Sequence, residues 1–399
     1  MGNTQLDSGP AVTAAPSVIT RYYSELSWIE GAAEQQLVQL LDVEGVDAVA
    51  AFPDLHPGKF GPVGVAIRSS RIHPAYVGND IGCGMALFRL SIPERKLNIE
   101  KTAKRLRQLA SDEWDAASDY LASAGLLPSL YPFSLGTVGG GNHFCEVLGV
   151  EDASEAFSGR KGDLFLLVHS GSRGLGEATF SNLDESRHLG MAADTPSAIS
   201  YLEGHDLCVR WAALNRQAIA GRAAELIGCE ASLVSDAPHN LISYEENRFV
   251  HRKGAALARP GDIVPVAGSR DSLSFVVAAK DDVSKAFNAL SHGAGRKYDR
   301  ATMRHRVGAT KAEREALTRN AWGGRAIVED RNLLLEEAGA AYKSSVHVVD
   351  ELVKHGLVEK LAALKPLVTF KRADLHQEDH TAKDKLLLDR RKQRKSKRD

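Results

Sequence analysis

The chain has 399 residues, 43% hydrophobic and 25% charged, with a formal net charge of −1 at pH 7. These are ordinary values for a soluble globular protein with a large core, and by length alone a soft prior of two or three domains. Near-neutral charge excludes a global basic field, so a nucleic-acid partner would have to be met locally.

The first twenty residues are expected to be mobile. Met1 to Ser17 has no basic start followed by an apolar run, and no apolar stretch reaches the roughly 20 residues that cross a bilayer. The expectation is a reducing cytoplasmic compartment with no membrane partner. There Cys83, Cys145, Cys208 and Cys229 would serve as thiols or ligands.

From Ser27, SWIEGAAEQQLVQLLDV has helical periodicity, with Ser27 as cap and Glu30 three residues on. Short apolar stretches cut by Pro53, Pro57, Pro62 and Pro74 then lead to GMALFRLSI, a strand pattern. Ile99 to Ala124 reads as helix. DLFLLVHS reads as a buried strand that delivers His169 to a loop, and Leu207 to Ile227 as a strong helix. Asn240 to Ala279 alternates strands and turns, and Lys311 to Tyr342 returns to helix around Gly323 and Gly324. The C-terminus, DRRKQRKSKRD, has almost nothing to bury. It reads as a solvated tail or as an arm for polyanions. Functional motifs lie on both sides of every possible boundary. The expected architecture is therefore one intertwined α+β catalytic unit over residues 21–380, followed by a basic tail over 381–399.

Asp80 and Cys83 in DIGCGM, His143 in GGGNHF, His169 in VHSGSRG, His239 in PHN and His292 in SHGAGR span most of the chain. Each is a residue type that binds a transition metal or attacks phosphorus, and most have glycine nearby, where the backbone must give way to a bulky ligand. Their separation is too long for a zinc finger or ribbon. A polar centre gathered from distant loops is the pattern of a catalytic pocket.

Gly82 and Gly84 leave room for two cations to approach the Cys83 sulfur; the plainer alternative is a buried structural cysteine beside a turn aspartate. The Gly139–Gly141 run suits an anion, so Asn142 would reach a phosphate while His143 binds metal. Ser170, Ser172 and Arg173 offer further phosphate donors. His292, with Gly293, Gly295 and Arg296 after it, is the candidate nucleophile, against the alternative of a histidine capping a glycine-rich turn. The pair His239-Asn240 carries no signal by itself. No GxxxxGK[ST], lysine-x-Asp-Gly or HExxH motif occurs.

Taken in order, PDLHPGK, GNDIGCGM, GTVGGGNHF, VHSGSRG, HN, HRKGA, SHGAGR and PLVTFK resemble the RtcB family of RNA ligases, from Trp28 through Lys371. The resemblance implies an RtcB-like fold, with mixed sheets and flanking helices around a central metal cleft. It implies joining of RNA ends that bear a 2′,3′-cyclic phosphate or 3′-phosphate to ends that bear a 5′-hydroxyl, with GTP and two manganese ions, through a guanylated histidine. Carried onto this chain, Cys83 would bridge the ions, one also held by Asp80 and His143 and the other by His169 and His239. His292 would be the nucleophile. Asn142, Glu146, Asn240, Gly268, Ser269, Ser274, Tyr342 and Lys371 would line the GTP site, with Gly293, Ala294 and Gly295 beside the phosphate.

Two departures stand out. Arg372 follows Lys371 where the family usually has glycine, and Pro238 precedes His239 where many members pair histidines. The ligand chemistry alone favours zinc, whereas the resemblance implies manganese. The opening segments resemble the bacterial branch encoded beside release factor H, which implies a link to a release-factor-like protein and to repair of ribosomal RNA. The competing functions are a metal-dependent cyclic phosphoesterase that does not ligate and a non-enzymatic RNA-binding protein.

Overall fold

The computed structural model describes residues 18–111, 114–183, 190–328 and 330–372; the basic tail lies outside them. DLFLLVHS forms the strand Asp163–Ser170. Its apolar run is buried throughout, and the two-residue alternation divides it between two cores. Leu164, Leu166 and Val168 pack with Ile219 and Ala223, whereas Phe165 and Leu167 pack with Leu87, Leu148 and Val276. A strand covered on both faces belongs inside a sheet, and this one lies between Phe144–Ala153 and Gly84–Pro93.

The sheet has eight strands. Its order is Ile263–Val266, Ser274–Ala279, Val358–Lys371, Phe144–Ala153, Asp163–Ser170, Gly84–Pro93 and Ala231–Pro238, and Arg325–Val328 pairs in parallel with the end of Val358–Lys371. Along the main path all neighbours are antiparallel, so the end of one strand lies beside the start of the next. Phe370 pairs with Cys145, Phe144 with His169, and Gly84 with both Ser170 and Pro238. That single row brings Lys371, His143, His169, Cys83 and His239 to one edge.

A five-stranded sheet, in the order Val18–Arg21, Val46–His56, Val63–Ser69, Arg248–Lys253 and Asn240–Glu245, faces the same region. His239 is the junction, because the chain leaves the larger sheet at Pro238 and enters the smaller one at Asn240. A two-stranded ribbon, Ala255–Leu257 with Ala289–Ser291, ends immediately before His292. The fold is α+β with mixed sheets, as expected.

Several boundaries differ from the sequence expectation. Val18 to Thr20, placed in the mobile start, pair with the strand Val46–His56. The first helix is Gly31–Gln39 and Ser27 does not cap it; Ser27 Oγ lies 3.0 Å from His347 Nε2 instead. The long helix starts eleven residues before Leu207, at Pro196, because Thr195 caps it and proline suits its first turn. Gly228, left-handed at φ 87°, ends it. The expected helix Ile99–Ala124 stops at Leu106 and resumes as Ala117–Ser123, with the Ser111 carbonyl between them held by Arg222. Lys311–Tyr342 is not one helix: Lys311–Ala316 and Arg331–Glu336 flank the strand Arg325–Val328, which gains sheet pairing after the Gly323 turn.

Candidate metal centre and cleft

The DIGCGM loop is fixed from three sides. Arg216 of the long helix is 1% exposed, donates to the carbonyls of Gly82 and Ser170 at 2.7 and 3.0 Å, and pairs with Asp236. His239 N–H donates to Cys83 O at 2.7 Å, and Gly82 N–H donates to Asn240 O at 2.7 Å. Asn215 ties Gly136 N and Thr137 O to Ser170 Oγ and Gly171 O. A Cβ at Gly171 would sit 1.9 Å from Asp80 Oδ1, so glycine is required where the carboxylate passes.

These ties assemble a continuous chain of donors. Asp80 Oδ2 is 2.9 Å from His143 Nε2, which is 3.3 Å from Cys83 Sγ. The sulfur is 3.2 Å from His169 Nε2, and that nitrogen is 3.3 Å from His239 Nε2. Cys83, His143 and His169 form a buried group able to hold a metal ion. Zinc-like bond lengths give donor-to-donor edges of about 3.3–3.6 Å around a tetrahedral ion, so this spacing fits a ligand shell. His169 Nδ1 donates to Asn142 O at 3.2 Å, which leaves Nε2 as the ligating nitrogen. His143 Nδ1 and His239 Nδ1 are buried without hydrogen-bond partners among the described residues.

Burial raises the Cys83 thiol well above its ordinary value, and the Asp80 charge adds to this. Burial also depresses His169 and His239, helped by the neighbouring imidazoles. For Asp80, burial pushes upward, but His143 and Arg173 outweigh it and hold the carboxyl well below the usual range. The centre thus gathers nitrogen and sulfur donors beside one carboxylate, a set that suits a divalent cation once the thiol gives up its proton.

The adjoining cleft has a volume of about 610 Å³, within the roughly 300–1,000 Å³ of small-molecule sites. Asp80, Cys83, His169, His239 and His292 line it, as do Asn142, Asn240, Glu146, Tyr342 and Lys371. Gly268, Ser269 and Gly293 to Gly295 complete the expected set on its walls. His143 sits with the metal donors and is 5% exposed. Ser274 supports the wall from behind, its Oγ accepting from Gly268 N–H at 3.0 Å.

His292 projects from the end of the ribbon beside His239, with ring centroids 4.6 Å apart. Its Nδ1 lies 2.6 Å from Gly254 O and 2.8 Å from Asp54 Oδ2. A carbonyl only accepts, so Nδ1 carries a proton and Nε2 is the nitrogen left for chemistry in the cleft. Gly295, at φ 69°, lets the next turn cross Asp54, whose carbonyl oxygen would be 2.3 Å from a Cβ there.

Farther along, Glu337 is 1% exposed and accepts from Lys371, Arg296 and the Tyr342 hydroxyl. Burial opposes its charge, yet Lys371 and Arg296 bring the carboxyl down to about 2. Burial lowers the Lys371 ammonium while Glu337 opposes that. Glu146, beside the Thr369 hydroxyl, is pushed up to about 7 by burial. Sequence reasoning missed Asp54, Arg216, Glu337 and Arg270. Asp54 stood in the quoted PDLHPGK motif and Arg270 directly follows Gly268 and Ser269; the other two carried no motif signal.

A buried thiol, three imidazoles and a carboxylate beside a nucleotide-sized cleft define an α+β protein with a candidate metal centre. The family model described as tRNA-splicing ligase RtcB matches residues 36–119 and 132–372, and the chain belongs to this family. It is similar to RNA-splicing ligase RtcB2 of Escherichia coli, 38% identical over 87% of this chain and 93% of the relative. It is also similar to tRNA-splicing ligase RtcB of Archaeoglobus fulgidus, 27% identical over 85% and 91% of the two chains. RNA-splicing ligase RtcB homolog 1 of Entamoeba dispar is 26% identical over 84% of this chain and 81% of its own. No helix among the described residues is long and apolar enough to cross a membrane.

Proposed function

We propose that this chain is a GTP-dependent RNA ligase, joining 2′,3′-cyclic-phosphate or 3′-phosphate ends to 5′-hydroxyl ends through a GMP–histidine intermediate at His292. The observation that carries this reading is the double anchoring of His292 Nδ1 by Gly254 O and Asp54. It fixes the Nδ1 proton and the ring orientation, leaving Nε2 as the attacking nitrogen in the cleft. Nε2 attacks the α-phosphorus of GTP, forming a P–N bond as pyrophosphate departs. The RNA 3′-phosphate then takes the GMP from histidine, and the 5′-hydroxyl displaces GMP from that activated end. A cyclic end is first opened by water to the 3′-phosphate.

Asp80, His143 and Cys83 would hold one divalent ion and Cys83, His169 and His239 a second, the thiolate shared. Manganese there supplies neutralisation of phosphate charge and orientation of the displacement. Asn142, Asn240, Ser269 and the Gly293–Gly295 turn face the nucleotide. Glu146, Tyr342 and Lys371 line the wall beyond, and Ser274 acts through Gly268. The protein's own share is positioning and electrostatics. The resemblance of the opening segments supports a cytoplasmic role in RNA repair linked to a release-factor-like protein.

The test supplies two RNA strands, one ending in a 2′,3′-cyclic phosphate and one beginning with a 5′-hydroxyl, with manganese and with or without GTP. Joining that requires GTP is the expected result. Opening of the cyclic end without joining, in the presence of GTP, would make the chain a phosphoesterase.

A further inference from the structure

Arg270 is 4% exposed and lines the cleft. Its Nη2 donates to Leu334 O at 2.8 Å. Nε and Nη1 are buried without a hydrogen-bond partner among the described residues. Asp271 Oδ2 lies 3.7 Å from Nε, an ion-pair distance too long for a hydrogen bond, and that oxygen already accepts from Gly339 N–H at 2.9 Å. An arginine does not shed its proton inside a protein, so idle buried N–H groups on a guanidinium call for an acceptor.

Two neighbouring cations of the cleft, Lys371 and Arg296, meet an acceptor at every side-chain nitrogen. Lys371 Nζ is 3.1 Å from Glu337 Oε2, 3.1 Å from Asn142 O and 3.3 Å from His143 O, which uses the three protons of an ammonium. Arg296 donates from Nε, Nη1 and Nη2 to Tyr298 O, Glu337 Oε1 and Glu336 O. Of these three, Arg270 alone has buried nitrogens, Nε and Nη1, that meet no acceptor among the described residues.

We propose that Arg270 reads the base of the nucleotide, donating to the O6–N7 edge of guanine; this rests on the reading of the cleft as a GTP site. A phosphate brought to this wall would meet the buried carboxyl groups of Glu146 and Glu337. Guanine suits a wall that mixes guanidinium and carboxyl, because it presents O6 and N7 as acceptors beside N–H donors. The phosphates belong nearer His292 and the metal donors, 4.6 Å apart at the His239 ring. Adenine carries an amino donor where guanine has O6, and would leave the guanidinium facing another donor. Arg270 is on this view a specificity residue, and Lys371 holds the Asn142–His143 backbone against Glu337.

The experiment titrates GTP, 7-deaza-GTP (which lacks N7) and ATP, reading the fraction of protein carrying a nucleotide adduct by intact mass. Wild type must first form the adduct with GTP; if it does not, the GTP reading itself fails and the result is not charged to Arg270. Arg270→Met keeps the length and removes the donors. It should raise half-saturating GTP about 10- to 100-fold, the worth of one bidentate base contact, and erase the preference for GTP over 7-deaza-GTP. Arg270→Lys should recover part of the affinity. Equal weakening of GTP and 7-deaza-GTP would mean a phosphate contact and overturn base recognition, and unchanged half-saturation would overturn any nucleotide contact. Should Arg270→Met not fold, wild type still decides: equal use of GTP and 7-deaza-GTP refutes the inference.

Discussion

Replacing Asp54 with asparagine perturbs His292 with almost no change of shape. Asp54 is fully buried; Oδ1 accepts from Ser291 Oγ at 2.9 Å and Oδ2 faces His292 Nδ1 at 2.8 Å. In Asp54→Asn, one of these positions becomes an amide NH2. If it faces His292, Nδ1 is pressed to accept and the proton moves to Nε2, removing the attacking lone pair. Complete inversion of a catalytic histidine's tautomer costs about 10⁴ in rate in the serine-protease triad. Here Gly254 O, 2.6 Å from Nδ1, still demands the Nδ1 proton and limits the damage. The expected loss is therefore that of one charge-assisted hydrogen bond, about 1.5–3 kcal/mol, or about 10- to 150-fold in the rate of adduct formation. The assay is single-turnover guanylation at saturating GTP, followed by intact mass, with metal content measured in parallel. Guanylation by Asp54→Asn at the wild-type rate, with normal metal content, would refute the orienting role.

Cys83→Ser should lower bound metal more than either His143→Ala or His239→Ala, because Sγ sits between His143 and His169; elemental analysis showing no greater loss contradicts a shared thiolate. Glu146 titrates near 7 in the fold against an ordinary 4.5. A raised carboxyl contributes stability that is fully present below about 4.5 and is lost as pH rises to 7. Glu146→Gln should therefore melt progressively higher relative to wild type across that window and then level off. A pH-independent difference in melting temperature would mean that the carboxyl is not perturbed. Deleting Arg390 to Asp399 removes seven basic side chains and should leave guanylation intact. The log–log salt slope of RNA binding should fall by about 0.7 for each single-strand phosphate that the tail no longer neutralises. An unchanged slope would make the tail a solvated end.

The candidate site was more legible in the sequence than the fold around it. Residue type and flanking glycine were enough to mark Cys83, His169 and His292, and the strand carrying His169 followed from an unbroken apolar run. What local pattern could not supply was the antiparallel register that brings five motifs to one edge, since pairing across a sheet is long-range. Helix limits failed where tertiary contacts decide. Thr195 and Pro196 start a helix well before its most periodic part, and the Lys311–Tyr342 segment trades helix for a strand paired with Val368 to Lys371. Arg216 and Glu337 act on the site through buried ion pairs with residues distant in sequence, and Arg270 through donors that find no partner. Nothing in the immediate neighbours of Arg216 and Glu337 marks them, whereas Arg270 directly follows Gly268 and Ser269.

The most direct measurement is the mass of the protein after incubation with GTP and manganese, with peptide mapping of any adduct, for wild type and His292→Ala. The expected result is one GMP bound through an acid-labile bond on the peptide that contains His292, absent from the variant, which keeps its fold and metal. A GMP adduct retained by His292→Ala, or mapped to another residue, would contradict the assignment of His292 as the nucleophile.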